Sequence, residues 1–79
     1  DIYAASKIAL GQDFLRRSGL SPADTVMIGD SVHDFEVSRA LGTGCVLYAG
    51  GHQSAALLAG PGAPVCATLA QACRAALGR

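Results

Sequence analysis

A short apolar run that stops abruptly on acids constrains this chain more than any other feature. The stretch is Val26-Met27-Ile28-Gly29-Asp30-Ser31-Val32-His33-Asp34. Its apolar part is brief, rich in hydrophobic residues and bounded by polar turn residues, so it reads as a buried strand. Asp34 to Leu41 then reads as a helix, with Val37, Ala40 and Leu41 on one face. Asp30 therefore falls at the carboxyl end of a strand and Asp34 in the first turn of the next helix. In open α/β sheets, ligands bind in the crevice beyond the carboxyl ends of the strands.

Two carboxylates at that place suit a hard cation. Mg2+ takes oxygen ligands, usually one or two protein carboxylates completed by waters and phosphate oxygens. Asp30 and Asp34 have that chemistry, and Gly29 lets the backbone approach closely. Ser31 can donate its hydroxyl or cap the helix. A plainer account also fits: Ser31 and Asp34 start the helix and Asp30 is a turn residue, because acids are favoured at helix N-termini anyway. The local sequence leaves both accounts open.

The rest of the chain alternates in the same way. Ile2 to Ser18 is expected as a helix, with Ala4, Ile8, Gly11 and Leu15 forming a stripe that Phe14 widens. Arg16 and Arg17 suit its last turn, Gly19 its end, and Ser21-Pro22-Ala23-Asp24 a turn. The first strand is expected over Thr25–Gly29, and the second helix over Val32–Leu41, closed by Gly42. A second strand follows from Cys45 to Tyr48 or Ala49. Gly50-Gly51-His52-Gln53 is a loop at that strand's carboxyl end, on the acids' side of the sheet if the strands are parallel. His52 is thus a candidate for the rim of a site. Ser54 can cap a short helix through Ala59, Gly60-Pro61-Gly62 breaks it, and Ala63 to Cys66 is a weak edge strand. Thr68-Leu69-Ala70-Gln71 has the pattern of a capping box. The last helix runs to about Leu77 with Leu69, Cys73, Ala76 and Leu77 on one face. Three strands alternating with four helices predict an α/β fold, a Rossmann-like parallel sheet with right-handed crossovers and flanking helices.

Composition excludes several functions. The 79 residues carry a formal net charge of zero, so no electrostatic case exists for nucleic acid or an anionic membrane. No apolar run approaches the ~18 residues of a membrane span, and the amino end lacks the basic-then-apolar pattern of a signal peptide. Half the residues are hydrophobic, but many are Ala and only four are aromatic, so little area is buried per residue. Cys45, Cys66 and Cys73 lack the spacing of a metal site and read as buried free thiols. Their odd number without a secretory signal fits a reducing, cytoplasmic setting.

Gly29-Asp30-Ser31-Val32-His33-Asp34 resembles the fourth motif of the haloacid dehalogenase-like hydrolases, a Gly-Asp-x-x-x-Asp segment after a strand. The branch it looks most like is the phosphoglycolate phosphatase-like one. Ser6-Lys7 opens a helix where that family has its third motif, a lysine, and Lys7 lies 23 positions before Asp30. Ala40-Leu41-Gly42 and Cys45-Val46-Leu47-Tyr48-Ala49-Gly50 resemble the family's next helix and strand. The resemblance implies phosphomonoester hydrolysis of a small phosphorylated metabolite through an aspartyl-phosphate. It implies Mg2+ held by Asp30 and Asp34, directly or through water, Lys7 at the phosphoryl group, and Gly29 and Ser31 in support.

The family's nucleophilic aspartate and its second-motif hydroxyl have no counterpart here. Asp1, Asp13 and Asp24 do not follow an apolar strand with a second acid two positions on. The chain is therefore expected to be the C-terminal part of such a hydrolase core, with the nucleophile-bearing half and the cap elsewhere. It is expected to be inactive alone, with an unpaired edge on its first strand that favours self-association. Outside the resemblance, a non-catalytic metal- or phosphate-binding module and a structural α/β module are the alternatives. His33, between the acids, is expected to point away from them, and Glu36 to be solvated.

Overall fold

The apolar run before the acids becomes the edge strand of a three-stranded parallel sheet. The computed structural model describes residues 2–50 and 54–78. Helix α1 (Ile2–Ser18) leads through a single 3-10 turn at Pro22–Asp24 into strand β1 (Val26–Gly29). Helix α2 (Val32–Leu41), strand β2 (Gly44–Tyr48), helix α3 (Ala55–Leu58), strand β3 (Val65–Cys66) and helix α4 (Leu69–Leu77) follow. The strands lie in the order β1-β2-β3, with Met27 opposite Cys45 and Leu47 opposite Val65. This is the expected α/β alternation, with three strands and four helices.

Position in the sheet explains which side chains form the core. β2 is central and covered on both faces, as parallel strands generally are. Its residues Cys45, Val46 and Leu47 are all buried. Side chains alternate along a strand. Cys45 and Leu47 meet Leu58 of α3, with Val32 and Phe35 of α2 packed against them. Ala72 is the fully buried residue of α4. β1 pairs with β2 alone among the described strands, and Val26, Met27 and Ile28 stay half-buried.

Local chemistry fixes the helix ends. Gly42 adopts φ 81°, a left-handed conformation that costs glycine little. Its N–H donates to Ser38 O at 2.9 Å and Arg39 O at 3.2 Å. At α4, Thr68 Oγ1 accepts from the Gln71 N–H at 3.2 Å. The Gln71 side chain, however, accepts from the Ala67 N–H at 3.0 Å, one residue earlier than a strict capping box would have it.

Helix α1 seats on α2 through a glycine. A Cβ at Gly11 would lie 2.6 Å from Leu41 Cδ1, so the glycine lets the tip of Leu41 lie directly against the α1 backbone, and a side chain there would make that tip turn aside. Lys7, one turn earlier on the same face, is thereby carried toward the amino end of α2.

Four expectations about packing are corrected. The α4 face Leu69, Cys73, Ala76, Leu77 is not the buried one: Leu69 is 50% and Leu77 87% exposed, and Cys73 is exposed. A three-stranded sheet is too narrow to cover the whole apolar stripe, and contact falls on Ala72. Cys73 is therefore a surface thiol and Cys66 a half-buried one; Cys45 alone is buried as expected. On α1, Phe14 is 59% exposed and does not widen the stripe that Gly11 anchors, and on α2 Ala40 is exposed.

Candidate functional site

The turn between β1 and α2 is built around one carboxylate. Asp34 is buried, at 7% exposure, and its Oδ2 accepts three hydrogen bonds. The Asp30 N–H donates at 2.9 Å, the Ser31 N–H at 3.2 Å and the Ser31 hydroxyl at 3.1 Å. The Ser31 Oγ in turn accepts from the Asp34 N–H at 3.3 Å, which completes a reciprocal capping box. The other oxygen, Oδ1, accepts from Lys7 Nζ at 3.2 Å. One side chain thus ties α1, the end of β1 and the start of α2 together.

Burial by itself would raise the pKa of Asp34. The Asp30 N–H, the hydrogen bond and charge of Lys7, and the Ser31 hydroxyl outweigh it, and the carboxyl titrates below its ordinary range. Asp34 is held as the anion.

Gly29 is where the backbone must come close. A Cβ there would lie 2.3 Å from Asp34 Cβ and 2.6 Å from both Asp34 Cγ and Oδ2. The clash involves the root of the Asp34 side chain, so rotating that side chain cannot relieve it.

The structure brings Lys7, Gly29, Asp30, Ser31 and Asp34 together beyond the carboxyl end of β1. Asp30 follows the last residue of the strand and is half-buried. His33 stands apart from them: it is exposed, and its Nδ1 lies 3.5 Å from Glu36 Oε2. His52, the candidate rim residue, lies outside the described residues. A cleft of about 330 Å³ opens at the opposite end of the sheet, between Asp24, Val26, Gly44 and Ala76. It belongs to the amino ends of the strands and takes no part in the acid turn.

No group of three or more His, Cys, Asp or Glu residues gathers to hold a metal ion among the described residues. The donors at the turn still fit a hard cation that needs one or two carboxylates and completes its shell with water and phosphate oxygens. Asp30, just after β1, and Asp34, in the first turn of α2, carry carboxylate oxygens of that kind, with Lys7 beside Asp34. Reading the sequence in order did not reveal that the Asp34 carboxylate itself binds both Lys7 and the Asp30–Ser31 backbone. The signals were there in Ser31-x-x-Asp34, a helix-start pattern, and in Gly11, four residues after Lys7.

Fold and turn define a Rossmann-like α/β domain whose polar groups gather in the crevice outside one strand. The model of the HAD-hydrolase-like family matches residues 3–72, nearly the whole chain, and the chain belongs to that family of hydrolases. Neither the curated proteins nor the solved structures contain a match to it. No helix among the described residues is long and apolar enough to cross a membrane.

Proposed function

We propose that this chain is the C-terminal part of a Mg2+-dependent, cytoplasmic phosphatase. Its substrate would be a small phosphomonoester of the phosphoglycolate type. The observation that carries the reading is the 3.2 Å ion pair between Lys7 of α1 and Asp34 of α2, closed around the backbone of Asp30 at a strand's carboxyl end. It supports the reading because α/β sheets generally bind ligands outside the carboxyl ends of their strands, and this pair closes around such an end.

Each residue then has a task. Lys7 presents a compact positive charge to the phosphoryl oxygens, and its Nζ is held in place by Asp34 Oδ1. Asp30 and Asp34 would hold the cation, directly or through water, and Gly29 and Ser31 shape the turn that carries them. Mg2+, when bound, would neutralise charge on the phosphoryl oxygens, the kind of stabilisation on which phosphoryl transfer chiefly depends. The nucleophile, an aspartate that becomes phosphorylated, would come from outside these residues. Asp13 is paired with Arg16 and Arg17 on α1, and Asp24 lies in the 3-10 turn at the far end of the sheet. Neither follows the carboxyl end of a strand, where the acid turn lies.

One observation favours a second reading. The Ser31–Asp34 capping box would exist in a purely structural α/β module, where the acids only start a helix. Hydrolysis separates the two. The full-length protein should release phosphate from small phosphomonoesters only with Mg2+, and residues 1–79 alone should release none. A full-length protein inert toward such esters over a broad panel would favour the structural module.

A further inference from the structure

The cleft at the amino ends of the strands lies apart from the acid turn, and its lining has a chemistry of its own. It encloses about 330 Å³, the small end of the range for ligand pockets. Ala23, Val26 and Ala76 supply apolar wall, and Asp24, Thr25 and Gly44 complete the lining. Asp24 is the single charged side chain of that lining. Among the described residues, no ion pair or hydrogen bond engages its carboxylate.

A second source of negative potential converges there. Helix α4 ends at Leu77, so Ala76 brings its last turn to the cleft. The last carbonyls of a helix lack intrahelical donors and carry partial negative charge. Arg74, the basic residue of that turn, stands two positions before Ala76 and therefore on another side of the helix. The Thr25 hydroxyl donates its proton to Ser21 O at 2.8 Å, which leaves its oxygen as an acceptor. Carboxylate, helix end and hydroxyl oxygen all suit a positively charged donor and oppose an anion. The three apolar residues would do nothing for a hydrated metal ion, but they suit a short hydrocarbon chain.

We propose that this cleft binds an alkylammonium ion, its charged end toward Asp24 and the carboxyl end of α4 and its aliphatic body against Ala23, Val26 and Ala76. The site stands at the start of β1 and the acid turn at its end, so the proposal holds whether or not the acid turn binds Mg2+.

The test is an NMR titration of the 15N-labelled full-length protein with butylammonium chloride. The backbone amides of residues 23–26, 44 and 76 should shift most, and saturably. Ammonium chloride lacks the aliphatic body and should need about tenfold more for the same shifts, the effect of partly burying a few methylene groups. Sodium butyrate, which reverses the charge, should leave these amides unmoved. Asp24→Asn should weaken butylammonium binding about fivefold, the upper range for an exposed ion pair. Asp24 is exposed, so this variant keeps the fold, which its unchanged amide spectrum away from the cleft checks. Shifts that never saturate, equal binding of ammonium and butylammonium, or an Asp24→Asn variant that binds as wild type does would overturn the proposal. The same shifts at equal concentration of MgCl2 would make the cleft a metal site and overturn it too.

Discussion

Lys7 Nζ lies 3.2 Å from Asp34 Oδ1, and this pair joins the first helix of the chain to the turn after its first strand. The two residues are 27 positions apart in sequence. Asp34 is almost wholly buried and Lys7 about one-third exposed, so their association is partly shielded from solvent screening. Breaking a partly buried pair leaves one charge without its counter-ion. Asp34→Asn should therefore destabilise the protein by about 1.5–3 kcal/mol, the range for hydrogen bonds to charged groups. In urea unfolding, Lys7→Met should cost less once Asp34→Asn is present. Additive losses would mean that the two residues do not interact.

Gly29→Ala should be more disruptive than its single methyl suggests. The added carbon would sit 2.3 Å from Asp34 Cβ, so either the turn or the start of α2 must move. Overpacking of this kind costs about 1–3 kcal/mol. The amides of Asp30 and Ser31 should also lose protection in hydrogen exchange as their bonds to Asp34 Oδ2 lengthen. Unchanged exchange at those two amides would contradict the close packing described for Gly29.

Acid should weaken the fold through Asp34 in a definite direction. Its folded pKa lies below the ordinary value of about 3.9 for an unfolded aspartate. The stabilisation is then fully present above that ordinary value and is lost as pH falls through the lower, folded value. The difference in stability between wild type and Asp34→Asn should be level above about pH 5 and shrink below pH 4. Thermal unfolding across pH 2–7 measures it. A difference that grows on acidification would reverse the sign and refute the assignment.

The open side of β1 should make the 79-residue chain associate with itself. Val26, Met27 and Ile28 are half-buried on a strand with one described neighbour, and such edges pair with further strands. Sedimentation of residues 1–79 should show mass rising with concentration. A monomer at all concentrations, with one sharp and concentration-independent thermal transition, would contradict this.

Much of the architecture was legible because it rests on local rules. The strand before Asp30, the helix from Val32 to Leu41 and its Gly42 end follow from periodicity, capping and left-handed glycine, each confined to a few residues. The faces of α1 and α4 were harder to read. Periodicity shows that Leu69, Cys73 and Leu77 share a face, but not that a three-stranded sheet stops short of it. Ala72, three residues after Leu69 and four before Ala76, took the contact instead. The acid turn was half legible. Ser31-x-x-Asp34 announced a helix start, and the acids announced an oxygen-rich crevice. The geometry contains both at once, because the capping carboxylate is also the one that binds Lys7. That link depends on how α1 lies on α2, which Gly11 and Leu41 settle at long range.

The central claim is that Asp30 belongs to chemistry and not to the helix start. The most direct measurement is Mg2+-dependent hydrolysis of small phosphomonoesters by the full-length protein and its Asp30→Asn variant, with thermal stability recorded for both. The capping box is made by Ser31 and Asp34, and Asp30 adds its backbone N–H, which donates to Asp34 Oδ2 beside it. The predicted result is a loss of activity of at least 100-fold, about 2.7 kcal/mol in transition-state stabilisation, with a melting temperature within a few degrees of wild type. Retained activity in Asp30→Asn, or loss of activity only in step with loss of the fold, would contradict the account.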